Sequence, residues 1–153
     1  MTEILQRCAS TSSNDEAGPI LGALIQAKKA TARALDAQHR RATVDAMVEQ
    51  AHAIGAVAIY GASDVGHCFA GAMAYASPRL RLWQPGQVAS LLLVDGCVAS
   101  VSGVGVAAER ASAVGATQID ALVVGLVIDN RELRWTPRID RLVVLGDIER
   151  QAA

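Results

Sequence analysis

Apolar residues recur at helical spacing along the first third of the chain. After the small, polar segment 8–18, leucine and isoleucine repeat every three to four residues, which predicts a helix from Pro19 to about Ala37. The same spacing predicts a second helix from about Arg41 to Ile54. We therefore expect a flexible N-terminal arm over residues 1–18, followed by a helical cap over residues 19–54.

The rest of the chain alternates between short apolar runs and helical segments. The apolar runs are rich in Val, Leu and Ile without polar alternation, which is typical of strands buried on both faces of a parallel sheet. We expect a single domain over residues 1–153 whose core, residues 55–146, is an α/β three-layer structure with a mostly parallel central sheet. The predicted strands are Ala56–Tyr60, Leu80–Trp83, Ser90–Val94, Asp120–Ile128 and Arg141–Leu145, and the predicted helices are Gly66–Ala76 and Gly103–Val114.

Composition narrows the class of protein. Hydrophobic residues make up 52% of the 153 and charged residues 19%, which excludes a disordered tail and indicates that another subunit covers some apolar surface, as in a homodimer. The net charge of −1 is spread along the chain, so we expect neither nucleic acid nor an anionic membrane as a partner. No apolar run approaches the roughly 20 residues of a membrane span.

Cysteine usage and the first residues point to a cytoplasmic protein. Cys8, Cys68 and Cys97 are scattered, which fits reduced thiols better than a disulfide framework or a zinc site. The first residues carry Glu3 and Arg7 rather than a basic-then-apolar leader, so we expect no secretory signal.

Two strand-to-helix junctions are candidate ligand sites, Tyr60–Gly66 and Val94–Gly103. In parallel sheets ligands bind beyond the carboxyl ends of the strands, where backbone amides and helix N-termini favour anions. Glycines in the first junction would let the backbone approach a ligand. The candidate ligand-binding residues are Ala62, Ser63 and Asp64 in the first junction and Asp95, Gly96, Ala99, Ser100, Val101, Ser102 and Gly103 in the second.

The second junction carries a family resemblance. Leu91–Ala116 (LLLVDGCVASVSGVGVAAERASAVGA) resembles the phosphate-loop pattern of type I phosphoribosyltransferases: an apolar strand, acidic residues, a small-residue loop, a helix and a closing Gly-Ala. Residues 57–76 (VAIYGASDVGHCFAGAMAYA) are similar to the pyrophosphate loop of that family, and Pro85–Gln87 to its Pro-Gly-Lys lead-in. The resemblance covers about residues 55–146.

The resemblance implies a ligand and a chemistry. In that family two acids contact the ribose hydroxyls of phosphoribosyl pyrophosphate, and the loop holds its 5′-phosphate. Mg²⁺ and the first loop hold the pyrophosphate, which leaves through an oxocarbenium-like centre. The resemblance implies Mg²⁺ as a cofactor only if the protein binds phosphoribosyl pyrophosphate.

Several positions depart from the family pattern. The second acid is replaced by Gly96, and Val101 stands where the family usually has glycine. The first loop carries Asp64 and no Arg or Lys, and only six residues separate Trp83 from Ser90, where the family has a long closing loop. These departures predict a phosphoribosyltransferase-like protein with eroded catalytic features, which binds a phosphorylated ribose or nucleotide or acts through assembly.

Two other functions stay open. One is an active phosphoribosyltransferase whose lid comes from the N-terminal helices or from a neighbouring subunit. The other is a sugar-phosphate-binding domain of the sugar isomerase type, because that family also has a Gly/Ser turn after its first strand, as at Gly61–Ser63, and a Ser-rich loop before a helix, as at Ser100–Gly103.

Single residues allow ordinary structural roles as well. Asp95 is expected to bind ligand rather than only to cap its turn, whereas Asp64 is expected to be a helix N-cap rather than a metal or ligand contact. Ser100 and Ser102 would serve equally as phosphate ligands or as N-caps. Cys97 is expected to be a buried thiol and not a nucleophile.

The remaining candidate site residues are one histidine and two tryptophans. His67 is expected to be a polar residue at the rim of the site. Trp83 fits a core or interface position better than a base-stacking one. Trp135, in an arginine-rich stretch, fits a subunit contact better than a nucleotide-binding role.

Overall fold

The computed structural model describes residues 14–127 and 138–146, with side chains from Leu21 onward. In chain order the elements in these ranges are α1 (Asn14–Leu35), α2 (Arg40–Ala53), β1 (Ala58–Gly61), α3 (Asp64–Ala76), β2 (Arg81–Leu82), β3 (Ala89–Val98), α4 (Ser102–Ala113), β4 (Ala116–Leu126) and β5 (Arg141–Val144).

The five strands form one parallel sheet in the order β2-β1-β3-β4-β5. The chain runs outward from β1 to β2 and then returns past β1 to β3, so the direction of winding reverses between β1 and β3. This doubly wound arrangement places a crevice at the carboxyl ends of β1 and β3. The expected α/β architecture, with a parallel sheet preceded by two helices, is confirmed.

Helices cover both faces of the sheet and create two apolar cores. Leu92 packs in the core that α1, α2 and α3 form, together with Phe69. Its neighbour Leu93 packs in the other core, with Ala108 of α4 and with Trp83. Successive residues of β3 pack on opposite faces of the sheet because side chains alternate along a strand. The molecule therefore has three layers, with α4 alone among the described helices on the second face.

The connection from β2 to β3 is unusually short. Parallel strands are normally joined by a crossover of a dozen or more residues, usually a helix, but here only residues 83–88 intervene. Trp83 fills part of that space: it is 3% exposed, and its Nε1 donates to the carbonyl of Gln87 at 2.9 Å. Gly86, at φ +95°, donates its N–H to Val114 at the end of α4.

Three element boundaries differ from the prediction by four or five residues. α1 begins at Asn14, so residues 14–18 of the expected arm are helical, while residues 1–13 lie outside the described residues. β3 continues four residues beyond the expected end at Val94, because it stays paired with β4 as far as Val98. β4 already begins at Ala116.

Trp135 lies outside the described residues. Within the described ranges, no helix has the length and apolar content needed to cross a membrane.

Candidate functional site

A cavity of about 580 Å³ lies between α1 and the carboxyl end of β3. We call it the α1 cavity. The start of α3 and the loop between β3 and α4 complete its walls, and most of its lining is apolar. The polar or charged residues in its lining are Lys28, Thr31, Ser63, Asp95 and Ser100.

Thr31 holds α1 over this cavity. Its Oγ1 accepts the N–H of Cys97 at 3.0 Å and donates to the carbonyl of the same residue at 3.2 Å. One side chain of α1 thus forms hydrogen bonds with both the N–H and the carbonyl of a β3 residue. The bonds fix the helix at the carboxyl end of the strand, which is why the N-terminal region forms a wall of the site.

Asp95 links β3 to the first turn of α3. Its side chain is buried, and its Oδ1 accepts the Ser63 hydroxyl at 2.5 Å and the Gly96 N–H at 2.8 Å. Ser63 in turn accepts the N–H of Gly66 and is the N-cap of α3. Asp64, which we expected to be that cap, is the exposed first residue of the helix. Asp95 lines the cavity, yet it lies inside β3 and not at the end of the strand as predicted.

Gly96 explains the missing second acid of the family pattern. A Cβ at this position would lie 2.9 Å from Val65 Cγ1 and 3.0 Å from Thr31 Oγ1. Both neighbours are β-branched side chains with little freedom to move aside. A carboxylate therefore has no room here, and Gly96 packs between α1 and α3 instead of lining the cavity.

The two glycines of the first junction serve the packing of the protein itself. A Cβ at Gly61 would collide with the backbone of Gly66 and His67, and one at Gly66 would collide with the Val94 carbonyl. The expected approach of a ligand to these glycines stays a prediction. They let the first turn of α3 lie against the ends of β1 and β3.

Besides Asp95, three of the predicted ligand-binding residues of the second junction lie at the α1 cavity. Ala99, Ser100 and Gly103 line the α1 cavity. Val101 is buried at the N-cap position of α4 and provides no side-chain cap, so the alternative that Ser100 or Ser102 caps this helix is wrong. Ser100 instead donates to the Ser102 hydroxyl at 3.3 Å. Helix N-terminal amides without a side-chain cap favour an anion.

The structure thus brings together about half of the predicted site residues. Those that line the α1 cavity are Ser63, Asp95, Ala99, Ser100 and Gly103, and those that do not are Ala62, Asp64, Gly96, Val101 and Ser102. Sequence reasoning missed Lys28 and Thr31. The same helix also carries Gln26, Lys29 and Arg33, so nothing in its sequence singles out these two residues or reveals where the helix lies.

Cys97 is a buried thiol, as predicted. It is 7% exposed, and burial raises its pKa to about 11, against the opposing effect of the Thr31 bond. The raised pKa and the burial favour the protonated thiol at neutral pH, which is a much weaker nucleophile than a thiolate.

The α1 cavity has few side chains that could bind a metal ion. Among the described residues, no group of three or more His, Cys, Asp or Glu side chains is placed to hold one. Gly96 stands in place of a second carboxylate, and Asp95 uses one oxygen internally. These residues do not fit the Mg²⁺ that the family resemblance implies, so we derive no step through it.

No protein-family model matches the chain, and a search of curated proteins gave no match either.

Proposed function

We propose that the chain is a phosphoribosyltransferase-like binding protein that holds a phosphorylated ribose or nucleotide in the α1 cavity and does not catalyse ordinary phosphoribosyl transfer. The observation that carries this proposal is the cavity itself. It lies at the reversal point of a doubly wound sheet, beside a helix N-terminus without a side-chain cap and a lysine.

Charge and shape support an anionic ligand. Lys28 has no carboxylate partner among the described residues, and the Ser100 hydroxyl lines the same cavity. The Asp95 carboxylate also lines it, but its Oδ1 already accepts the Ser63 hydroxyl and the Gly96 N–H. An ammonium, a hydroxyl and helix amides together suit a phosphate. The volume is typical of small-molecule sites, and the apolar remainder of the lining suits a flat base better than a second charged group.

The same residues argue against transfer chemistry. Release of pyrophosphate requires neutralisation of the leaving charge and exclusion of water from the reacting ribose. The first loop carries Asp64 and no cation, and residues 83–88 are too few to form a closing lid. Asp95 is the sole acid left of the family pair.

Calorimetry tests the binding proposal. Adenosine monophosphate, ribose 5-phosphate, phosphoribosyl pyrophosphate and inorganic phosphate are titrated with Mg²⁺ into the wild type, Lys28→Gln and Lys29→Gln. Lys29 is the matched control, because it is the next residue of α1, exposed, and outside the cavity lining. We expect Lys28→Gln alone to weaken binding about tenfold. Equal losses in both variants, or no heat with any ligand, would contradict the proposal and leave assembly as the remaining role.

An active transferase is the second candidate, because α1 occupies the place where a lid would lie. Pyrophosphate release from phosphoribosyl pyrophosphate with a panel of bases tests it. The Thr31 bonds hold α1 in place, so we expect no release. A sugar-phosphate-binding domain of the sugar isomerase type would instead prefer a hexose 6-phosphate to ribose 5-phosphate in the same titration.

A further inference from the structure

A second cavity, of about 360 Å³, lies on the opposite face of the sheet. We call it the Trp83 cavity. It opens between the end of β1, Trp83 and the outer surface of α4, where a doubly wound fold would normally carry the helix that joins β2 to β3. The short link 83–88 leaves this volume uncovered by any described helix.

Rings form one wall of the Trp83 cavity. Tyr60 packs edge-on against His67, with ring centroids 4.8 Å apart, and against Trp83, with centroids 5.4 Å apart. Trp83 is held by its bond to Gln87, so the ring surfaces are ordered in advance of any ligand. Such preordered aromatic walls favour a flat ring over a flexible chain, because little side-chain entropy is lost on binding.

The polar groups of the Trp83 cavity are basic or neutral. Arg110 lines it, and none of the described residues in the lining is acidic. No described carboxylate pairs with Arg110. His67 donates from Nδ1 to the Ser63 carbonyl at 2.7 Å, because a carbonyl can only accept. Its Nε2 is the ring nitrogen left for other contacts.

We propose that the Trp83 cavity binds a flat aromatic anion, with its ring against Tyr60, beside the largely buried Trp83, and its carboxylate on Arg110. A guanidinium can hold a carboxylate through two parallel hydrogen bonds. This site is independent of the phosphate site, although Gly103 at the start of α4 lines both cavities.

The test uses 2-naphthoate as the probe, with 2-naphthamide as the neutral analogue and cyclohexanecarboxylate as the non-planar anion. Affinities are measured by calorimetry. Trp135→Phe leaves Trp83 as the sole tryptophan, so a shift of its indole N–H resonance locates the probe. We expect naphthoate to shift this resonance and to bind at least about tenfold more tightly than either analogue.

Two arginine variants decide the role of charge. Arg110→Gln should weaken naphthoate binding about tenfold, whereas Arg79→Gln, an exposed residue outside both cavities, should not. Lys28→Gln should leave naphthoate binding unchanged. A failure of this proposal can therefore be distinguished from a failure of the proposed phosphate site. Absence of binding, or equal affinity in Arg110→Gln and the wild type, would overturn the proposal.

A second copy of the chain is the competing occupant of this face, because Val106 and Val114 of the cavity lining are about half exposed. Light scattering across protein concentration distinguishes it. A dimer that Val106→Glu dissociates, and that naphthoate does not affect, would also overturn the proposal.

Discussion

At the scale of single residues, Gly96 lies where the packing of α1 and α3 leaves little space for a side chain. Gly96→Asp would force a carboxylate between Val65 and Thr31, where even a Cβ is crowded. We expect a loss of about 1–3 kcal/mol in the free energy of unfolding, measured with urea. Gly103→Ala is the control, because its Cβ would meet nothing within 4 Å. A stable Gly96→Asp variant would show that α1 can move away from β3.

The Asp95–Ser63 bond is a second residue-scale contribution to the site. The carboxylate holds the capping serine of α3, so the two side chains should contribute jointly to stability. A double-mutant cycle with Asp95→Asn and Ser63→Ala measures this coupling, for which we expect about 1–2 kcal/mol in urea unfolding. A coupling near zero would mean that Asp95 is held by the Gly96 N–H alone and that its charge is available to a ligand.

At the scale of elements, Thr31 ties α1 to the site through two hydrogen bonds. Thr31→Val keeps the shape of the side chain but removes both of its bonds to the Cys97 backbone. We expect a loss of about 1–3 kcal/mol and faster hydrogen exchange at the Cys97 amide. Thr43→Val on α2 is the matched control, since Thr43 is also half-buried. Equal effects of the two variants would argue against a specific clamp.

Much of the element order could be predicted from the sequence, while the make-up of the site could not. Apolar runs and helical spacing identify the strands and helices because those patterns are local. β3 continues through Asp95 and Gly96 because it pairs with β4. The pattern of apolar residues along the chain does not predict this pairing. Likewise, the contact between Thr31 and Cys97 joins residues 66 apart in the chain. The loop was therefore predicted where the structure has strand, and Lys28 was missed.

At the scale of the whole molecule, Asp120 makes stability depend on pH. It lies on β4, opposite Arg141 of the neighbouring strand, with Arg141 Nη2 3.6 Å from Asp120 Oδ2. Its Oδ1 is buried and has no hydrogen-bond partner among the residues that the structure describes. Burial raises the pKa of this carboxyl above its ordinary value; Arg141 opposes the rise and Asp140 adds to it. The folded state therefore binds the Asp120 proton more tightly than the unfolded chain does.

The sign of the effect follows from this difference in proton affinity. The contribution of Asp120 to stability is fully present below the ordinary carboxyl pKa, about pH 4, and is lost as pH rises through the raised folded value. Asp120→Asn removes the buried charge, so we expect its Tm to exceed that of the wild type by roughly 2–4 °C at pH 7. The difference should disappear near pH 3, where the wild-type carboxyl is neutral. Thermal unfolding across pH measures both.

Asp45→Asn is the control for a general charge effect, because Asp45 is exposed and its contact with Arg41, at 3.9 Å, is long. We expect its Tm to follow that of the wild type at every pH. If Asp120→Asn instead lowers Tm at pH 7, the attraction of Arg141 outweighs the cost of burying the carboxylate. The edge strand β5 would then be held to the sheet partly by charge, because Arg141 is its first residue.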